Sequence, residues 1–219
     1  MDAIIFDLDW TILYLKVDWV RTRKRLSELF SKHKLKLGQK LGLTAAAFLA
    51  AKKIPENVRI LNQKKVEKIL CEEEMVGAKM ATLRDGSNVI LKKLKKRYFL
   101  GLVSNNGSKA INLALKKTGI PRNYFNAIIS RDVAKELKPS PVPLVKAINS
   151  MPKATCYYYV GDEDSDMKAA KKTQRLLKKK IVKIGIVGWQ GKSRLRKSGP
   201  DFLIENLHEL EKILRPAKD

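Results

Sequence analysis

The sequence predicts an α/β protein: a doubly wound parallel sheet carrying an inserted block of helices. Three observations lead there. Short apolar, β-rich runs recur without the strict alternation of a one-sided sheet, as expected of strands buried on both faces. Lysine-rich stretches with helical periodicity separate most of them. One interval, residues 7–97, is far longer than the roughly a dozen residues that a single crossover needs.

The first run is residues 3–6, Ala-Ile-Ile-Phe. Helical character follows over 18–33, 41–53 and 56–74, with Pro55 placed to open the last of these. No strand pattern lies between Leu15 and Lys79, so residues 15–79 are expected to form an all-helical cap, with 1–14 and 80–219 as the sheet-containing core. Asp85-Gly86-Ser87 marks a turn, and 88–96 is a helix that feeds the second strand at 98–103. Further strands are expected at 126–129, 155–160 and 182–187, with 202–204 as a short sixth. There is no internal repeat.

Composition bounds the function. A chain of 219 residues suits one ordinary domain, or a core with a smaller inserted module. Hydrophobic residues at 44% provide for a sizeable core, and with 31% charged residues they argue against global disorder. The longest apolar stretch, 41–51, is interrupted by Gly42 and Thr44 and is too short to span a bilayer. Met1-Asp2-Ala3 lacks the basic start of a secretion signal, so a soluble, cytoplasmic protein without a membrane partner is expected. Cys71 and Cys156 lie far apart and make no CxxC pair, which argues against a disulfide framework or a zinc site. Oligomeric state is left open.

Charge is the ambiguous signal. The 46 Lys and Arg against 22 Asp and Glu give +24, a field that attracts polyanions. Yet 34 of the basic residues are Lys and 12 are Arg, spread along the whole chain, whereas bidentate readers of bases and phosphates favour Arg. Nucleic acid is therefore the lesser reading, and a small phosphorylated substrate gains from the same field. The cap carries 16 basic and 7 acidic residues, and its Arg21, Arg23, Lys24 and Arg25 are candidates for drawing in anions.

Four polar clusters follow the apolar runs, directly or shortly after. Asp7-Leu8-Asp9-Trp10-Thr11 follows Ile4-Ile5-Phe6, and Ser104-Asn105-Asn106-Gly107 follows Gly101-Leu102-Val103. Lys138-Pro139 comes after the third run, and Gly161-Asp162-Glu163-Asp164-Ser165-Asp166 after Tyr158-Tyr159-Val160. Singly, each has an ordinary explanation: an Asx turn, an N-cap, a surface lysine, a helix cap. In an open α/β sheet, however, ligands bind beyond the carboxyl ends of the strands, so the clusters converge on one crevice. Asp7, Asp9, Asp162 and Asp166 would repel one another there unless a cation intervenes. All-oxygen donors without His or Cys select a hard ion, Mg²⁺ above others. Ser104, the backbone N–H groups beside it and Lys138 make a phosphate cradle, so phosphoryl transfer is the reaction class that fits. Glu163 and Asp164 are read as solvated or capping.

Those four motifs, in this order, resemble the haloacid dehalogenase-like superfamily, whose phosphatases carry DxDx[TV], a Ser or Thr after the second strand, a Lys and GDxxxD. The stretch 180–214 is similar to the tail of phosphoglycolate phosphatase-like members, and the helical insert to their cap. The resemblance implies that Asp7 is the nucleophile and Asp9 the general acid and base. It implies that Mg²⁺ is held by Asp7, the Asp9 backbone carbonyl and Asp162, with Asp166 on the metal through water or paired with Lys138. It further implies that Ser104 and the Asn105 N–H bind the phosphoryl oxygens, that Lys138 neutralises the nucleophile and the transferring group, and that Thr11 braces the loop. Asp9 favours a phosphatase over a dehalogenase, and Trp10, where glycine is common, is read as contributing to specificity. A phosphomutase would share every core residue, and a non-catalytic nucleic-acid-binding or scaffolding protein is the reading from another class.

Other signals fail. Gly188-Trp189-Gln190-Gly191-Lys192-Ser193 is two residues too short for a Walker A loop. His33 and His208 are isolated from any metal-ligand spacing.

Overall fold

The sheet is built around its first strand. A computed structural model describes residues 1–38 and 42–214. In chain order the elements are β1 (Ala3–Phe6), β2 (Leu13–Tyr14), α1 (Trp19–Ser31), α2 (Leu43–Lys52), α3 (Glu56–Lys79), β3 (Thr82–Leu83), α4 (Ser87–Leu94), β4 (Phe99–Val103) and α5 (Ser108–Thr118). They continue with β5 (Ala127–Ile129), α6 (Arg131–Ala134), α7 (Val142–Asn149), β6 (Tyr157–Gly161), α8 (Asp164–Leu177), β7 (Ile181–Ile186), α9 (Lys192–Lys197), β8 (Phe202–Ile204) and α10 (Leu210–Ile213). Six strands pair in the order β5-β4-β1-β6-β7-β8, all parallel. The winding reverses at β1, with β4 on one side and β6 on the other, which opens a crevice beyond their carboxyl ends.

Apolar side chains of β1 serve both faces in turn. Ile4 and Phe6 pack with Ile90 and Leu91 of α4 and Ile111 and Leu115 of α5. Ala3 and Ile5 pack with Leu144 and Ile148 of α7 and Ala170 of α8. With helices over both faces, both alternating sets of side chains in the central strands must be apolar, and that is why the runs lack alternation.

Between β2 and β3 lie α1, α2 and α3, which share an apolar cluster of their own: Leu26, Phe30, Ala47, Ala50, Ala51, Ile54, Val66 and Leu70. The Asp18 carboxylate caps α1 by accepting the Arg21 N–H at 2.8 Å. Arg21 and Arg25, two of the candidates for drawing in anions, pair with α3: Arg21 Nε lies 3.0 Å from Glu73, and Arg25 reaches Glu72 at 2.6 Å and Glu73 at 2.7 Å. Helix α3 runs past the expected end at Glu74 to Lys79, its last turns lying against α5. Gly77 lets α3 pass close to the segment that leaves β2, because a Cβ there would sit 2.7 Å from the Val17 side chain. Leu70→Ala should destabilise the protein by about 2–5 kcal/mol, read from denaturant unfolding, because Leu70 is fully buried in the inserted cluster.

The six expected strands are all present, with ends shifted by a residue or two. The antiparallel pair β2–β3, with Leu13 opposite Leu83 and Tyr14 opposite Thr82, was not expected. Strands of two residues leave no period to read. Helix α2 begins at Leu43; Leu41, where the sequence places its start, lies outside the described residues. Among the described residues, no helix is long and apolar enough to cross a membrane.

Candidate active site

The site begins where β1 stops. The Asp7 N–H still donates to the Val160 carbonyl at 2.8 Å, continuing the ladder one residue past Phe6. The chain then folds back: the Leu8 carbonyl accepts from the N–H groups of Thr11, Ile12 and Leu13, and Trp10 takes a left-handed φ of 57°. Asp9 turns into this loop, its Oδ1 accepting the Leu15 N–H at 2.7 Å and the Trp10 N–H at 3.1 Å. Burial pushes the Asp9 carboxyl up to about 7 against the pull of those two donors. Buried Arg84 anchors the loop by donating to the carbonyls of Trp10, Val187 and Glu205.

Opposite, β6 delivers Asp162 directly after Gly161, and the first turn of α8 delivers Asp166. Asp166 caps α8 from inside: its Oδ2 accepts the Glu163 N–H at 3.0 Å in a reciprocal capping box. Its Oδ1 accepts from Lys138 Nζ at 2.6 Å and from the Tyr159 hydroxyl at 2.9 Å. The same ammonium reaches Asp7 Oδ1 at 2.5 Å. Carboxylate oxygens of Asp7, Asp162 and Asp166 lie within 4.8 Å of one another, and all three residues are buried. A Cβ at Gly161 would lie 2.4 Å from Asp166 Cγ, and one at Gly188 would lie 2.5 Å from Asp162 Oδ2, so two glycines make room for the cluster.

Three buried carboxylates face one ammonium. With all of them ionised the group carries two uncompensated negative charges, the deficit one divalent cation would fill. The carboxyls register this imbalance. Burial, reinforced by repulsion from Asp7 and Asp166, pushes Asp162 well above the carboxylate range. Burial also raises Asp7, against the pull of Lys138. Lys138 is held above its ordinary value because Asp166 and Asp7 outweigh the cost of burying it. Asp162 Oδ2 is buried with no hydrogen-bond partner among the described residues, and its Oδ1 has only the Thr11 hydroxyl at 3.5 Å. An orphaned carboxylate oxygen beside two more carboxylates fits a hard divalent cation held by oxygen donors.

The third wall is the loop after β4. Ser104 is buried, its N–H donating to Ile129 and its Oγ to Asn106 Oδ1 at 2.8 Å, while the Asn106 N–H returns to Ser104 Oγ at 3.2 Å. The Asn105 side chain clamps Lys138 by its backbone, accepting the Lys138 N–H at 2.9 Å and donating to its carbonyl at 3.3 Å. This clamp ties the ammonium-bearing segment to the loop.

The structure thus brings Asp7, Lys138, Asp162, Asp166 and Thr11 into one connected group. Asp9 directs its carboxylate to its own loop rather than into the acidic cluster. Glu163 caps α8 as expected but is also held by Ser165 and the Trp189 indole, whereas Asp164 faces Lys168 at the surface. Sequence reasoning missed Tyr159, Arg84 and the Asn105 amide. Tyr159 carried a usable signal, since a tyrosine inside a doubly covered strand needs a partner for its hydroxyl.

Comparison with known proteins agrees with this arrangement. The model of the haloacid dehalogenase-like hydrolase family matches residues 4–175. A phosphoglycolate phosphatase of Nitrosococcus oceani is 33% identical over 142 residues, covering 64% of this chain and 60% of that one. The pyrophosphatase PpaX of Anoxybacillus flavithermus is 27% identical over 164 residues, covering 73% and 67%. A hydrolase from Pseudomonas syringae has a similar fold, with a TM-score of 0.70 at 19% identity and coverage of 98% and 100%. A match that runs from the first strand nearly to the end of α8 takes in all four clusters, and the chain belongs to the haloacid dehalogenase-like hydrolases.

Proposed function

We propose that the protein is a Mg²⁺-dependent phosphatase that hydrolyses a small phosphomonoester through an aspartyl-phosphate on Asp7. One observation carries this reading: Lys138 bridges Asp7 and Asp166 beside the unpartnered Asp162 oxygen, at the point where the sheet winding reverses. An Asp7 oxygen attacks phosphorus as the bond to the leaving oxygen breaks, and Asp9 donates its proton to that oxygen. Asp9 then takes a proton from water, whose oxygen attacks the same phosphorus, releasing inorganic phosphate and restoring Asp7. The raised pKa of Asp9 suits a group that must hold a proton and later accept one.

Lys138 aligns Asp7 and offsets negative charge on the transferring group. Ser104 and the Asn105 N–H receive the phosphoryl oxygens, and Thr11 steadies the motif loop. Asp7, the Asp9 carbonyl and Asp162 would hold Mg²⁺, with Asp166 committed to Lys138; the bound ion supplies the charge that offsets repulsion between carboxylate and phosphate dianion. Residues 15–79 act as the cap, which excludes bulk water from the reacting atoms and selects the leaving group.

The names of the relatives frame the assay: phosphoglycolate, pyrophosphate and a panel of phosphorylated metabolites, each with and without Mg²⁺. Inorganic phosphate should appear from at least one monoester, only with the divalent ion present. Turnover that survives a chelator, or no turnover across the panel, overturns the reading. An isomer of the substrate in place of free phosphate identifies a phosphomutase.

A further inference from the structure

Arg131 has an unusual position for a cation. It is the first residue of α6, where the helix dipole disfavours positive charge, and it is 4% exposed. Its guanidinium is saturated. Nη1 donates to Glu74 Oε1 at 2.6 Å and to the Asn105 carbonyl at 2.8 Å. Nη2 donates to Glu67 Oε1 at 2.9 Å and Glu74 Oε2 at 3.2 Å, and Nε to Glu67 Oε2 at 3.0 Å. Glu67 and Glu74 both belong to α3, two turns apart on one face, so the guanidinium joins the inserted helices to the loop after β4.

The backbone contacts explain what this junction does. A peptide unit is planar, so fixing the carbonyl of one residue fixes the direction of the next N–H. Arg131 holds two successive units of the loop: its side chain takes the Asn105 carbonyl, and its own N–H donates to the Asn106 carbonyl at 3.0 Å. The first contact orients the Asn106 N–H toward Ser104 Oγ, and the second orients the Gly107 N–H toward Glu74 Oε2 at 3.0 Å. Glu74, fully buried, occupies the amino end of α5, a place where a phosphate could otherwise settle. With those two units pinned, the Asn105 N–H is the donor the loop can offer to a phosphoryl oxygen, and the Ser104 hydroxyl, which here donates to Asn106 Oδ1, joins it on rotating away from that amide.

We infer that Arg131, with Glu74 and Glu67, is a positioning group that sets the phosphoryl-binding geometry of the Ser104–Asn105 loop and makes that geometry depend on the inserted helix α3. This rests on the proposed phosphatase reading. Arg131 touches none of Asp7, Asp162, Asp166 and Lys138, and reaches Lys138 only through the Asn105 clamp, so its larger effect should fall on phosphate rather than on the cation.

The test is Arg131→Gln, Arg131→Lys and Glu67→Gln in the full chain, assayed for inhibition by inorganic phosphate and for half-saturation by Mg²⁺. Thermal unfolding of each variant runs in parallel. Arg131→Gln should weaken phosphate inhibition by about tenfold and lower kcat/KM by about a hundredfold, the cost of a small misplacement of donors. The Mg²⁺ half-saturation should change by less than twofold. Arg131→Lys keeps the charge but cannot span Asn105 and two carboxylates, so it should still weaken phosphate inhibition severalfold. Should Arg131→Gln not fold, Arg131→Lys and Glu67→Gln decide, the latter because Glu67 is 41% exposed. Folded variants with a lower melting temperature but wild-type phosphate inhibition overturn the inference and leave the phosphatase reading standing. A wild-type protein that neither releases nor binds phosphate overturns both.

Discussion

Asp7→Asn should lower turnover by roughly four orders of magnitude or more while the fold survives, because an amide cannot serve as the attacking oxygen. The substitution is nearly isosteric, and Lys138 keeps its contact with Asp166. It also removes a carboxyl that burial already drives away from ionisation, so the thermal midpoint without added cation should not fall. Phosphate release with saturating Mg²⁺, paired with a melting curve, checks both halves. A well-folded variant that retains a hundredth or more of the activity would place the nucleophile elsewhere.

Lys138→Ala should produce the second large effect, and one with an unusual signature. Without the ammonium, Asp7, Asp162 and Asp166 are left crowded with no opposite charge. Breaking a buried ion pair by removing one partner costs about 3–5 kcal/mol, so the cation-free variant should melt well below wild type. Turnover should fall by about 10²–10³-fold, the scale of losing one electrostatic contact to the reacting group. Yet the variant should bind a divalent cation more tightly, because the positive charge that competes for the same carboxylates has gone. Titration with Mg²⁺ should therefore raise its melting temperature more than that of the wild type. An equal or smaller rise would mean that Lys138 and the cation do not share these ligands.

What the chain disclosed before folding follows from the range of each interaction. Parallel strands covered on both faces print themselves as apolar runs, so β1, β4, β6 and β7 could be located to within a residue or two. Asp7, Ser104 and Asp162 were legible as candidates because each directly follows a strand on the crevice side, and Lys138 because its Lys-Pro pair follows the third run, beyond α6. Arg84 and Arg131 were not, since their partners are backbone carbonyls and carboxylates distant in sequence, chosen by tertiary packing. The partners of the cap's arginines were hidden for a related reason: α3 supplies the glutamates that Arg21 and Arg25 meet, and a count of charges does not show which face each one occupies.

Helix α3 passes without a break from the inserted cluster to the core, 24 residues in all. Such a rod is about 36 Å long, with Val66 and Leu70 of the inserted apolar cluster near its middle and Glu74 close to one end. If it pivots near Lys79, a displacement of 1 Å at Glu74 corresponds to about 4–5 Å at its far tip, from the rise per residue alone. The arrangement is a lever with a long outer arm and a short inner one. A shift of about 4–5 Å at the far tip would thus arrive as about 1 Å where Glu74 meets the Gly107 N–H.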